Sequence, residues 1–446
     1  MFEKIFDLAA NRTTVRTEIL AGVTTFLTMA YIIFVQPAVL STDFAGNPTG
    51  MDFGAVFFAT CVASAIATAL MGLYARYPIA LAPGMGENFF FVSVVMALGT
   101  MGVTDAWKTA LAMVFISGAL FVVLSVLRVR EVIMDGISPS LGNGIAAGIG
   151  LFIAFIGLKN GGVIIGKPGT LVGLNTHIVS AEFAVFGFGL LVTAILHVRR
   201  VKGSILLGIL AGALLAGLLG KVHFEGVIGW PRIERSAIWQ MDFRQAFSLT
   251  CFPFIIVFLF MLVFDTVGTL VGVSEQAGLM KNNRLPRASR ALMTDAVGTV
   301  AGAALGTSTV TSFIESAAGV EEGGRTGLTA VTVAVLFLVA LVFSPIVAMV
   351  GKFAPITAPA LIVVGVLMMR NARRIDWEDY SEAIPAFLVM IGIPLSYSIA
   401  DGLALGFISY PLIKLFSGRA KEVKWPIYLL AVILIIYFVL VRARLG

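Results

Sequence analysis

The sequence predicts an all-α polytopic membrane protein of 14 transmembrane segments, arranged as a 7+7 inverted repeat, with the third and tenth segments interrupted by stretches that resist continuous helix. Three observations carry this expectation. Hydrophobic residues make up 59% of the chain and charged residues only 13%, where a soluble domain carries about 25% charged residues. Apolar runs recur along the whole length between short polar connectors, and 446 residues suffice for roughly 12 to 15 spans of about 20 residues each. Basic residues, finally, gather in alternate connectors.

The first set of segments lies at about Glu18 to Val39, Gly54 to Leu73, Pro78 to Leu98, Trp107 to Leu127, Ser138 to Leu158, Ala181 to His197 and Ser204 to Leu219. A mixed polar stretch, Lys221 to Arg244, connects it to the second set at about Ala246 to Val273, Ser289 to Leu305, Thr309 to Val320, Gly327 to Phe343, Phe353 to Met369, Ala383 to Tyr397 and Ala400 to Phe416. Two tandem sets with an odd number of spans insert in opposite orientation. Lys4, Arg12 and Arg16 precede the first span; Arg76, Arg128 and Arg130, Arg199, Arg200 and Lys202, Lys281, Arg284, Arg287 and Arg290, and Arg370, Arg373 and Arg374 occupy every second connector. Those connectors are the cytoplasmic ones, which places the amino terminus inside. Trp425 to Val441 is a further apolar stretch between Lys421 and Lys424 on one side and Arg442 and Arg444 on the other; sequence leaves open whether it spans or lies flat.

Composition excludes several classes. The formal charge of +6 sits in short connectors, where it matches anionic lipid rather than nucleic acid. Cys61 and Cys251 lie inside apolar runs, so neither a disulfide framework nor a thiolate metal site is expected. The polar stretch Met1 to Arg16 lacks a cleavable signal pattern. His177, His197 and His223 fall at loops or segment ends, which assembles neither a zinc site nor a Ser/His nucleophile. Without a phosphate loop or nucleotide-binding domain there is no sign of ATP-driven pumping, and neither enzymatic activity, a cofactor nor a metal is expected.

Chemistry concentrates at Asp265 and Glu315, two carboxyls inside stretches that otherwise read as membrane-spanning. A charged side chain at the bilayer centre costs about 2.5–3.5 kcal/mol on insertion scales, so such groups face a polar cavity, a partner or a transported species. Each lies beside helix-weakening residues: Phe264-Asp265-Thr266-Val267-Gly268-Thr269, and Gly306-Thr307-Ser308-Thr309-Val310-Thr311-Ser312-Phe313-Ile314-Glu315-Ser316. The third segment has its own interruption, Ala82-Pro83-Gly84-Met85-Gly86-Glu87-Asn88. Interrupted segments at matching positions of two halves point to a binding site, and aligning Glu87 with Glu315 is the match the sequence suggests. Helices starting near mid-membrane, at about Asn88 and Ser316, would offer unpaired N–H groups to a flat heterocycle from opposite sides. Glu315 is the expected acceptor for ring N–H groups, and Asp265 or Glu315 the expected carrier of a coupling proton. Glu87 and Asn88 read either as helix caps or as site residues; Asp295 and Asp401 read as caps; Thr24, Thr25 and Thr28 read as cavity lining or helix packing. Gly86, Ser312, Phe313 and Thr28 complete the candidate substrate-binding set.

The motifs Gly22-Val23-Thr24-Thr25-Phe26-Leu27-Thr28-Met29-Ala30-Tyr31-Ile32-Ile33, Ala82-Pro83-Gly84-Met85-Gly86, Phe264 to Leu270, and Thr311 to Val320 continuing through Gly323-Gly324-Arg325-Thr326-Gly327 resemble the AzgA-like purine permeases, the adenine/guanine/hypoxanthine branch of the nucleobase:cation symporter family. The resemblance implies a core domain (17–127 and 246–343) moving against a gate domain (138–220 and 353–416), with 425–441 as an extra C-terminal hydrophobic segment. It implies uptake of a purine nucleobase with protons, or sodium in their place, and by fold analogy a homodimer through the gate domain. Carried over by motif, the family's eighth-segment acid falls on Asp265, its tenth-segment Glu on Glu315 and its third-segment Asn on Asn88. Glu87 and Phe89-Phe90-Phe91 depart from the branch's pattern, which bears on which purine is taken. Short loops suit a bacterial inner membrane. The alternative within the same architecture is an anion transporter or channel of the sulfate/bicarbonate type.

Overall fold

A computed structural model describes residues 2–127, 138–177, 179–280 and 285–440. The basic residues Arg128, Arg130, Lys281, Arg284, Arg442 and Arg444, and Val441, lie outside the described residues.

The first half contains α1 (Phe2–Phe6), α2 (Val15–Met29), α3 (Ile32–Ser41), α4 (Phe53–Leu70) running into a π-turn (Met71–Ala75), β1 (Leu81–Pro83), α5 (Met85–Thr100), α6 (Ala106–Leu127), α7 (Pro139–Asn160), a hairpin of β2 (Ile164–Lys167) and β3 (Leu171–Leu174), α8 (Ala181–Val198) and α9 (Ser204–Leu218). The second contains α10 (Phe243–Ala246), α11 (Phe252–Gln276), α12 (Ala288–Leu305), β4 (Val310–Ser312), α13 (Ser316–Glu321), α14 (Gly327–Ala340), α15 (Ser344–Gly351), α16 (Ala358–Met369), α17 (Tyr380–Ser396), α18 (Ile399–Phe416) and α19 (Trp425–Leu440). Among the described residues, seven helices are long and apolar enough to cross a membrane, and five shorter apolar helices accompany them. The chain is a multi-pass membrane protein.

Helix starts follow from ordinary capping chemistry, in which a side-chain oxygen takes one of the free first-turn N–H groups. Thr14, Asp52, Ser138, Ser180 and Ser398 accept from Thr17, Ala55, Leu141, Phe183 and Asp401. The first segment departs from the continuous span expected: it breaks at Ala30–Tyr31 into α2 and α3. Two further elements were not foreseen, the β2–β3 hairpin and the short α15 before the twelfth segment. The 425–441 stretch is helical as far as Leu440 and packs on α18.

Helices sort into two packed groups. In one, α14 packs on α2 and α4, while α12 packs on α4 and α6. In the other, α7 packs on α16 and α17, α17 on α18, and α8 on α9. Small residues permit these approaches. A Cβ on Gly327 would strike the Gly72 carbonyl oxygen, and one on Gly150 would lie 2.7 Å from Met368 Cβ, so backbone meets backbone or nearly so, as membrane helix interfaces favour.

The third and tenth segments are indeed extended where they were expected to resist helix. β1 and β4 form an antiparallel pair with Leu81 opposite Ser312, Ala82 opposite Thr311 and Pro83 opposite Val310. Two outer bonds complete it, Gly84 N–H to Thr309 C=O (3.1 Å) and Phe313 N–H to Ala80 C=O (2.9 Å). The exchange that sends Ala80 to Thr309 and Gly84 to Phe313 leaves this pattern unchanged, and it sends Gly86, not Glu87, to Glu315. The alignment of Glu87 with Glu315 is therefore off by one residue, because the pairing register fixes the correspondence and similarity of side chain does not.

Candidate functional site

Buried strands need partners for N–H and C=O groups that no neighbouring strand takes. Here helix hydroxyls supply them. Thr68 on α4 accepts from Leu81 N–H and donates to its C=O, both at 2.9 Å. Thr299 on α12 does the same for Val310, at 3.2 and 3.0 Å. One turn away on each helix the halves diverge. Asp295 on α12 accepts from Ser312 N–H (3.1 Å) and Ser312 Oγ (2.9 Å), whereas Ser64 holds that place on α4. Its strand residue is Pro83, which has no N–H to satisfy. Asp295 is thus a fully buried strand anchor, not a cap at a segment end. Ser312, expected in the substrate set, is committed to it.

Asp265 lies midway along α11 and Glu315 immediately before α13. Thr311 donates to Asp265 Oδ2 at 2.9 Å, and Tyr31, in the break between α2 and α3, donates to Glu315 Oε1 at 2.7 Å. Asp265 is exposed and Glu315 half-buried. Gly268, Val271 and Glu275 continue the exposed stripe down α11, and Ile314 is 49% exposed beside it. A single face of α11 is therefore exposed from Asp265 to the end of the helix. Among the described residues, neither acid has a Lys, Arg or His ion-pair partner, which leaves their acceptor capacity available to a neutral or cationic guest carrying N–H donors.

The remaining candidates group around this pair in different ways. Glu87 sits in the first turn of α5, 2% exposed, with its carboxyl against Gly84 Cα and near Thr311 Oγ1. Asn88 is fully buried; its Oδ1 takes the Ser308 hydroxyl, and Gln36 Nε2 reaches Thr307 Oγ1 at 2.9 Å and Ser308 Oγ at 3.1 Å. Thr28 Oγ1 donates to the Thr25 C=O at 2.8 Å and lies 3.4 Å from the Glu315 C=O, so it braces the helix next to the acid. Gly86 lets α5 close on α7: a Cβ there would meet Ile149 Cγ2 at 3.1 Å. Phe313 is 5% exposed at the end of β4.

Helix starts differ from expectation in two respects. α5 begins at Met85, three residues before Asn88, because Gly84 is its last extended residue. α13 does begin at Ser316 but spans only six residues, ended by the Gly323-Gly324 turn. Sequence reasoning missed Tyr31, Thr311, Ser308, Gln36 and also Glu18. Glu18 is fully buried and accepts from Arg325 N–H (2.9 Å), Thr326 N–H and Thr329 N–H (both 3.2 Å) and Thr329 Oγ1 (2.6 Å). It caps α14 from across the protein.

Comparison with known proteins gives consistent matches over nearly the whole chain. The Permease family profile (Xan_ur_permease) matches residues 16–439. A putative permease of Methanocaldococcus jannaschii is 50% identical over 98% of both chains. The guanine/hypoxanthine permease PbuG of Bacillus subtilis is 46% identical over 96% of this chain and 98% of its own. The adenine permease AdeP of Escherichia coli is 40% identical over 100% and 97%. Among solved structures, the transmembrane domain of the cyanobacterial bicarbonate transporter BicA superposes with a TM-score of 0.64 at 15% identity, covering 87% of this chain and 96% of that one. SLC26A9 superposes with the same score at 8% identity, covering 93% and 68%. These two establish likeness of fold alone.

Proposed function

Because this chain belongs to the Permease family, we propose that it is a secondary active transporter that moves a purine nucleobase of the guanine, hypoxanthine or adenine type across the cell membrane by proton symport. The observation that carries the reading is the pair Asp265 and Glu315, accessible and, among the described residues, without a cationic partner. A purine presents ring N–H groups, and each carboxyl offers more acceptor sites than its one protein hydroxyl occupies. Support for purines over other guests comes from the relatives, which are named as guanine/hypoxanthine and adenine permeases.

In this reading Glu315 accepts from the ring, Asp265 carries the coupling proton or orients the base, and Asn88, held by Ser308, forms the wall from which α5 starts. Glu87, Gly86, Phe313 and Thr28 shape the rest of the pocket, with Ser312 placed by Asp295. Eleven of those apolar helices, leaving out α19, together with α12, the β4–α13 segment and α16 make 14 spans in two inverted halves, a reading favoured by the exchange symmetry of the β1–β4 pair and by the matching Thr68 and Thr299 anchors. The group around α4, α12 and α14 acts as the core and the group around α7, α16 and α17 as the gate. The amino terminus faces the cytoplasm of a bacterial inner membrane, and two copies associate through the gate.

Anion transport, the second reading, has the fold of BicA and SLC26A9 in its favour. Two carboxyls without a counter-cation among the described residues would repel an anion, so the site chemistry favours the purine. Proteoliposome uptake of labelled guanine, hypoxanthine, adenine, xanthine and uracil, with bicarbonate as competitor and with and without an inward proton gradient, tests the proposal. Purine accumulation that follows the gradient is expected; bicarbonate transport without purine uptake would overturn it.

A further inference from the structure

The two groups of helices pack ring against ring on one side of the carboxyl pair, while on the other Lys202, between α8 and α9, pairs with Glu322 after α13 at 3.0 Å. Early in α11, Phe254, Ile255, Val257 and Phe258 are buried, and Phe260 lies 6.0 Å from Phe407 of α18. Late in α11, from Asp265 onward, one face is exposed. The closed side ends in a set of rings drawn from both groups. Phe44, in the loop after α3, lies 5.6 Å from Phe152 of α7, 5.5 Å from Tyr397 between α17 and α18, and 6.2 Å from Phe89 of α5. Phe89 and Phe152 pack edge to face at 6.1 Å beneath it. Over the top, Lys159 Nζ at the end of α7 donates to the Phe44 carbonyl oxygen at 2.5 Å and stands 5.3 Å from the Tyr397 ring.

We propose that Phe44, Lys159 and Tyr397 form a latch, closed here, that seals the transport path at the end opposite the exposed face of α11 and must release for a base to reach Asp265 and Glu315 from that side. The proposal rests on the core and gate reading given above. Geometry sets the latch apart from permanent packing in three ways. Lys159 is exposed while the rings below it are buried or half-buried, so its one bond across the group boundary has water as an immediate competitor. That bond uses a main-chain carbonyl of a loop, which can leave without unfolding a helix. Tyr397 has φ +56, in the left-handed region that a side chain with a Cβ rarely takes, and its buried hydroxyl has no hydrogen-bond partner among the described residues. Strain and an unmet donor held together at a contact between two moving bodies mark a switch position. Opening would meet the hydroxyl's need, since it would reach water. In the closed position the Phe89–Phe152 pair is a dry plug one layer above Gly86, where α5 rests on Ile149.

Two measurements test the latch on the full-length protein in proteoliposomes, in a Cys61→Ser, Cys251→Ser background whose native thiols are both buried. First, Phe44→Cys with Tyr397→Cys is joined by a short, reducible bifunctional thiol reagent. Purine exchange should fall by about tenfold or more, the size expected when one required state is lost, and return on reduction. Through this, Val271→Cys should stay reactive to an impermeant thiol reagent from the open side only. Exchange at the unlinked rate would overturn the proposal. Second, Lys159→Met should raise labelling of Met85→Cys from the sealed side by about three- to tenfold, the loss of one charge-assisted bond and one cation–π contact, and Lys159→Arg should bring it back. Unchanged labelling in Lys159→Met would equally overturn it. Either failure leaves purine uptake standing, whereas a wild-type protein that moves no purine would remove the functional reading and leave the labelling results intact.

Discussion

Removing the Tyr31 hydroxyl should weaken purine binding without emptying the site of its acid, and the size can be worked from the geometry. Tyr31 donates to Glu315 Oε1 at 2.7 Å, a short bond to an ionisable acceptor away from the protein surface. Hydrogen bonds to charged groups contribute about 1.5–3 kcal/mol, and each ~1.4 kcal/mol is tenfold in affinity. If that bond fixes the carboxyl in the rotamer that reads the ring, Tyr31→Phe should raise the dissociation constant roughly 10- to 100-fold. Glu315→Gln keeps one oxygen acceptor and loses the charge, so it should cost a similar amount; Glu315→Ala should abolish uptake while the protein still inserts. The double variant Tyr31→Phe, Glu315→Gln should lose less than the sum of the singles, by about 0.5–3 kcal/mol, because the two groups share one interaction. Scintillation proximity binding of labelled guanine to purified protein, beside uptake in proteoliposomes, reads all four. Additive losses would refute the idea that Tyr31 acts through Glu315, and transport by Glu315→Ala within about threefold of wild type, under 1 kcal/mol, would refute the role of the acid.

Three other outcomes follow from the described contacts. Asp295→Ala leaves the N–H and hydroxyl of Ser312 unpaired in a fully buried place, at about 1–3 kcal/mol for each group; the purified variant should melt lower than wild type, and an unchanged melting temperature would contradict the anchor role. Gly327→Ala would drive a Cβ into the Gly72 carbonyl oxygen, so it should yield little folded protein by size-exclusion chromatography, whereas Ala at Gly99, which has open space around it, should behave as wild type. At the start of α17 and after α18, the Ser381 hydroxyl and Arg419 hold the Asp379 carboxyl down at about 2, and Arg419 with Lys414 holds Glu422 at about 2. Both folded values lie below those of a free chain, about 3.9 and 4.3, so the cluster's contribution is complete above that range and disappears as pH falls through about 2. The fluorescence of Trp425, three residues beyond Glu422, should hold steady down to about pH 4 and change below it, and Arg419→Gln should move the change upward in pH; the same midpoint in both proteins would show that the cluster does not set it.

Much of the architecture was legible in the sequence because the membrane simplifies the code. Apolar runs mark spans, and the Pro-Gly and Ser/Thr runs at 82–86 and 306–312 mark where helix gives way to strand. Asp265 and Glu315 stood out for a related reason, the cost of a charge in hydrocarbon. What stayed hidden was pairing across the chain. Tyr31 meets Glu315 284 residues away, and Gln36 meets Thr307 271 residues away; neither hydroxyl nor amide is costly enough in a membrane helix to attract notice. Asp295 was misjudged because its reason for being there, a Ser312 N–H that Pro83 lacks in the other half, exists only once the strands are paired. Glu18 was read as the start of a span, and its role at Arg325 to Thr329 depends on a loop 307 to 311 residues distant.

The most direct examination of the central claim is an electron cryo-microscopy structure of the protein with guanine, and in parallel with hypoxanthine, at saturating concentration. A base lying between α11 and α13, with ring nitrogens within hydrogen-bond distance of the Glu315 and Asp265 carboxyls, is the predicted result. A base bound elsewhere, or one between these helices whose ring nitrogens meet neither acid, would contradict the account.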